Sequence, residues 1–84
     1  MKYIVTEDDL GVQEIFVFPS RIHHDAMMLN LEGIRNQMYG QWERVFRVPI
    51  SAGFIDSQGK CSGYSETLGL QSRPEDTELF RSQK

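Results

Sequence analysis

Three groups of residues in this 84-residue chain have types that could do chemistry: the consecutive His23, His24 and Asp25, the single Cys61, and the glycines at 53, 59, 63 and 69. Neighbours on a helix point about 100° apart, so His23, His24 and Asp25 do not converge on one ion. The expectation is a His23 packed at the edge of the core and a His24 near solvent. A thiolate at Cys61 would need a histidine beside it in space, and no catalytic signature surrounds it, although Ser62, Gly63 and Ser65 would leave it accessible. A lone strand cysteine more often serves as a small apolar residue. The glycines compose neither a lysine-containing phosphate loop nor a dinucleotide fingerprint, and they read as turns and bulges. With no convergent catalytic set, the chain is not expected to be an enzyme, and no cofactor or metal is implied.

Residues suited to recognition are better represented. Tyr39, Trp42, Arg44 and Arg47 fall in one short stretch, and Trp, Tyr and Arg dominate binding interfaces. They are the candidate partner-binding surface, weighed against a Trp42 that fills the core while both arginines stay solvated. A different reading is a small-ligand or nucleic-acid-binding module in which Trp42 and Tyr64 stack on a ligand beside Arg44 and Arg47.

Positioning these residues falls to a helix expected from Ser20 to Tyr39, with the Ser20 hydroxyl as its cap and Gly40 as its stop. Its periodicity puts Ile22, Ala26, Leu29 and Gly33 on one stripe and Met27, Leu31, Ile34 and Met38 on another, with centres roughly 130° apart. A small sheet covers one broad face of a helix. The second stripe then needs another cover, and Met27, Leu31, Ile34 and Met38 become a candidate self-association surface of a homodimer. His23, Asn30 and Gln37 recur at the boundary between the stripes.

Around the helix the pattern is that of strands. Lys2 to Thr6 and Val12 to Phe18 form an expected hairpin about a polar loop, Glu7 to Gly11. The consecutive Ile15, Phe16, Val17 and Phe18 suggest coverage on both faces and hence a strand inside the sheet. From Val45 to Ile55, Phe46, Val48, Ile50, Ala52 and Phe54 alternate with polar or small residues, and Pro49 favours an edge or a bulge. A turn at Asp56, Ser57, Gln58 and Gly59 leads to a weaker strand over Lys60 to Leu70, with Tyr64, Leu68 and Leu70 in one register. Ser72 and Glu75 have capping-box spacing about Pro74, which predicts a short helix through Leu79 or Phe80. The expected fold class is α+β, in the order ββαββ: a small antiparallel sheet packed on one main helix, with a short C-terminal helix. Residues 1–80 form one domain and 81–84 a frayed tail.

The net charge of −3 falls entirely on residues 1–39 and the remainder is neutral, so phosphate-dominated binding has little support and a nucleic-acid partner is not expected. One cysteine makes no internal disulfide, no apolar run is long enough to cross a bilayer, and the acidic Glu7, Asp8 and Asp9 follow the first residues where a secretory signal would need an apolar stretch. Cytoplasmic residence without membrane association is the expectation.

The run SAGFIDSQGKCSGYSETLGLQSRPEDTELF, with the N-terminal hairpin and the HHD segment, resembles small uncharacterised proteins encoded by bacteriophages and prophages. The resemblance covers most of the chain. It implies a phage-associated origin and assigns no functional residue. The functional expectation is a small cytoplasmic interaction module, derived from a phage, that binds and modulates or inhibits a host protein or complex.

Overall fold

The computed structural model describes residues 1–28 and 47–83. Among the described residues six strands, β1 (Lys2–Asp8), β2 (Gln13–Phe18), β3 (Arg47–Ile55), β4 (Cys61–Ser62), β5 (Tyr64–Ser65) and β6 (Leu70–Gln71), precede a terminal helix, Glu75–Ser82. The first four make an antiparallel sheet in the order β2-β1-β3-β4, and β5 and β6 pair as a separate ribbon.

Two five-residue segments set the hairpins. In Asp8–Val12 the Asp8 carboxylate accepts the N–H groups of Leu10 and Val12, both at 2.9 Å, while the Asp8 N–H donates to the Val12 carbonyl. Asp56 does the same for Gln58 and Lys60, again at 2.9 Å, and its N–H donates to the Lys60 carbonyl. The fourth residue of each turn is a glycine at positive φ, Gly11 at 81° and Gly59 at 82°, where an L side chain would be strained. Those bonds hold the Asp56 carboxyl below its ordinary range, the Lys60 backbone contact being the strongest of them.

The architecture corrects the expected α+β, ββαββ arrangement. The described chain is mostly β, and no main helix packs on its sheet. Ser20 and Arg21 lie in a turn, closed by an Ile22 N–H donating to the Pro19 carbonyl, so Ser20 caps nothing. Helical geometry begins only at His24, and the described part of the expected helix amounts to residues 24–28. Ala26, assigned to an inward stripe, is exposed. The physical reason is the change of direction after β2: the chain must turn off an edge strand before it can cross the sheet, and that turn uses the residues that would have made the first helical turn. Leu29, Leu31, Gly33, Ile34 and Met38 lie outside the described residues.

β2 is also placed differently from its expected interior position, since it is an edge strand and β1 and β3 are the inner ones. Its continuous apolar run reflects coverage of both faces instead of pairing on both sides. Phe16 and Phe18 join a cluster with Ile4, Met28 and Ala52 on one face, and Ile15 and Val17 join Tyr3, Val5 and Ile55 on the other. Pro49 lies at an irregularity: β1 residues Val5 and Thr6 face Ser51 and Pro49, leaving Ile50 as an extra residue. That extra residue breaks the expected alternation, so Ile50 packs in the Tyr3 cluster while Ala52 packs in the Ile4 cluster. The predicted strand over Lys60 to Leu70 is divided into β4, β5 and a turn before β6.

The terminal helix covers the Tyr3 face through Leu79 and Phe80. It starts after Pro74 without a side-chain cap, so the expected Ser72–Glu75 capping box is not made. Instead, the Asp76 carboxylate accepts the Arg73 N–H at 2.9 Å. Ile22, Met27, Leu68 and Leu70 pack over the opposite, Ile4 face.

Candidate functional site

The Ile4 face carries the more exposed aromatic side chains among the described residues. At its rim the last turn of β3 presents Phe54 and the first residue of β5 presents Tyr64, which stay 45% and 56% exposed. Between them runs an open groove of about 350 Å³ whose other walls include Lys2, His23, Glu66 and Thr67. A second hollow of about 460 Å³ lies beyond Tyr64, against Gly69, Leu70 and Gln71. Both share Tyr64, Ser65 and Glu66, so the β5 strand forms a ridge between two depressions.

Local bonds make that ridge rigid. The Leu68 N–H donates to Ser65 Oγ at 3.2 Å, and the Gly69 N–H donates to the Ser65 carbonyl at 2.9 Å. The Ser72 N–H donates to the Gly63 carbonyl at 2.9 Å, which ties the far end of the ribbon back to the β4–β5 connection. On the β3 side, a Cβ at Gly53 would collide with the Ser62 carbonyl, so only glycine lets the β4–β5 chain approach this closely.

The floor of the groove is His24. Sequence reasoning placed His24 near solvent and His23 at the core edge; the structure reverses them, with His24 only 4% exposed and His23 exposed. The His24 ring stands edge-on to Phe18, with centroids 5.5 Å apart, and to Phe54 at 6.1 Å. Its Nε2 lies 3.0 Å from the Gly53 carbonyl, which fixes the neutral tautomer with the proton on Nε2. Burial drives its pKa below the ordinary histidine value, partly opposed by that backbone bond, and the nearby Lys2 ammonium pushes in the same direction as burial. The Lys2 ammonium is itself held by the Ile22 carbonyl at 3.0 Å. His24 is therefore committed to positioning β3 and Phe54 and cannot offer Nε2 to a substrate.

The other candidates for chemistry are scattered. Cys61 joins the Tyr3 cluster on the opposite face of the sheet, and its N–H donates to Thr77 Oγ1 at 3.0 Å. Burial raises its thiol pKa, which disfavours the thiolate a nucleophile requires. Among the described residues no three of the His, Cys, Asp and Glu side chains gather as a metal-holding group.

Also on the Tyr3 face lies a polar cluster that the sequence did not signal. The Tyr3 hydroxyl donates to Asp76 Oδ2 at 2.6 Å, and Arg73 donates from Nε and Nη2 to Asp76 Oδ1, each at 2.9 Å. Arg73 Nη2 reaches on to Gln13 Oε1 at 3.2 Å. Asp76 and Tyr3 are fully buried. Burial and the adjacent Asp76 carboxylate raise the Tyr3 pKa strongly, so the phenol stays protonated and donates. The cluster clamps helix to sheet, with its Asp76 and Tyr3 members buried and Arg73 at the edge.

Of the residues predicted to bind partners, Tyr39, Trp42 and Arg44 lie outside the described residues. Arg47 opens β3, opposite Asp8 of β1. Met27, from the predicted self-association stripe, is half-buried against the Ile4 cluster of its own chain, while Leu31, Ile34 and Met38 are outside the described residues. Tyr64 is brought to the groove, and Phe54, read from alternation as inward-facing, joins it there. No helix among the described residues is long and apolar enough to cross a membrane. Comparison of the chain with protein-family models, curated proteins and solved structures gave no match.

Proposed function

We propose that this chain is a small protein-interaction module whose binding surface is the groove between Phe54 and Tyr64. The observation that carries this reading is the pair of half-exposed aromatic rings on rigid supports, both lining one groove floored by a committed histidine. Aromatic walls supply large contact area at low entropic cost, and a polar rim of Lys2, His23, Glu66 and Thr67 supplies orientation. A groove of this size takes one or two side chains of a peptide or a surface loop. Its location in the cytoplasm, and in the host cytoplasm for a phage-encoded chain acting on a host protein, belongs to the same proposal and is supported by the resemblance to phage and prophage proteins and by the single unpaired cysteine.

The test is selection of a displayed random-peptide library on the wild-type protein and on a Phe54→Ser/Tyr64→Ser variant. Peptides should enrich on the wild type and be lost on the variant. Equal enrichment on both proteins would remove the groove from the binding surface.

A further inference from the structure

The outer edge of β2 carries a feature that the groove does not explain. Gln83, immediately after the terminal helix, lays its side-chain amide along this edge: Nε2 donates to the Gln13 carbonyl at 2.9 Å, and Oε1 accepts the Ile15 N–H at 3.1 Å. One primary amide thus accepts from one outward residue and donates to the next, taking the place of the N–H and carbonyl that one residue of a neighbouring strand would offer. In an antiparallel ladder, residues of the same parity point their backbone groups to the same side, so Val17 continues the outward row begun by Gln13 and Ile15. Among the described residues, the hydrogen bonds on that side of β2 stop at Ile15.

We propose that this edge is a pairing surface for a second copy of the chain, with β2 of each copy antiparallel to the other and the Gln83 amide as the plug that must be displaced. An antiparallel strand is complementary to itself about a two-fold axis, and with Phe16 at the axis Ile15 of one copy faces Val17 of the other, each exchanging N–H and carbonyl bonds. The side chains suit the joint. Phe16 and Phe18 would extend the Ile4 cluster, and Ile15 and Val17 the Tyr3 cluster, across the boundary. Glu14 is the one charged residue of β2, and the two copies of it fall at opposite ends of the paired strands. Pro19, which has no N–H, lies opposite Gln13 of the other copy and ends the ladder there, so the bond-exchanging residues are Ile15 and Val17.

Sedimentation equilibrium of the wild type, Gln83→Ala and Val17→Pro over a range of concentrations tests this, with amide hydrogen exchange at Ile15 and Val17 in the same samples. Gln83→Ala should tighten association about tenfold, the worth of the plug's hydrogen bonds. The Ile15 and Val17 amides should then exchange more slowly as concentration rises. Val17→Pro removes an outward N–H and should leave a folded monomer. If Val17→Pro does not fold, the exchange measurement on Gln83→Ala decides alone. A Gln83→Ala protein that stays monomeric, or a dimer in which the Ile15 and Val17 amides are not slowed, overturns the proposal. So would association of Gln83→Ala only with an added unrelated extended peptide, which would assign the edge to a different occupant. None of these outcomes depends on the Phe54–Tyr64 groove.

Discussion

On one side of β1, Tyr3 and Val5 are sealed beneath the terminal helix, and the seal is fastened by a buried carboxylate bonded to a phenol and a guanidinium. On the other side, among the described residues, Ile4 lies beneath shorter pieces, the segment around residues 22–28 and the turn before β6, and the histidine there is held by backbone bonds to Gly53 and Tyr3 and by two aromatic rings. The first arrangement leaves Tyr3, Val5 and Ile55 buried. The second leaves Phe54 and Tyr64 half-exposed at the rim. One strand thus divides its residues between a face organised for cohesion and a face organised for contact. The division teaches that polar groups in so small a protein serve opposite ends according to access: buried and mutually satisfied they fasten, and at an open rim they orient a partner.

The comparison breaks most severely at Asp76. Asp76→Ala leaves Arg73 and the Tyr3 hydroxyl without their acceptor, and urea denaturation should show a loss of about 3 kcal/mol, the low end for breaking a buried pair because Arg73 is partly exposed. Tyr3→Phe removes one donor while Arg73 still pairs Asp76, so about 1–2 kcal/mol should be lost. The same variant has a pH signature. The raised Tyr3 pKa means that its contribution is fully present below pH 10.0, the ordinary tyrosine value, and declines above it as the unfolded chain ionises first. Thermal melts at alkaline pH should show that decline in the wild type and a shallower one in Tyr3→Phe.

A change of opposite sign is expected at Ser51. Its hydroxyl is fully buried and has no hydrogen-bond partner among the described residues, so Ser51→Ala should raise stability by about 1 kcal/mol in the same urea titration. The open face should respond to acid. His24 has a pKa depressed by burial, so its neutral form is favoured in the folded protein. The associated stability is complete above pH 6.5 and falls as pH drops through that value, where the unfolded chain takes up the proton first. Melting curves between neutral and acid pH should show this loss, and His24→Gln, which retains an N–H donor for Gly53, should flatten it. The smallest stability effect belongs to the groove rim: Tyr64→Ser should change unfolding free energy by less than about 0.5 kcal/mol while removing selected peptides, which separates contact from cohesion.

Features controlled within a few residues were legible before any fold was known. Glu7 to Gly11 was read as a polar loop with turn-forming residues and Asp56 to Gly59 as a turn, and each hairpin is closed by an aspartate that bonds residues two and four positions later. Pro49 announced an irregularity that the pairing with β1 contains. The helix after Pro74 was visible too, although its expected cap was not the one used. Of the site, Tyr64 was identified through its residue type, while Phe54 was assigned inward because alternation has no information about where a sheet ends. His23 and His24 were exchanged because a periodicity that starts at Ser20 assigns faces wrongly when the helix starts at His24.

By itself the sequence determined the hairpin turns, the strand character of residues 2–6, 13–18 and 47–55, and a short helix near its end. In each case the deciding bond, steric limit or periodicity lies within a handful of neighbours. Only the tertiary structure decided that β1 is inside the sheet and β2 at its edge, that Tyr3 meets Asp76, and that His24 is the buried histidine. A continuous apolar strand looks the same whether its two faces are covered by one layer each or its two edges are paired. Contacts between residues far apart in the chain are selected by packing the whole, and local pattern does not encode them.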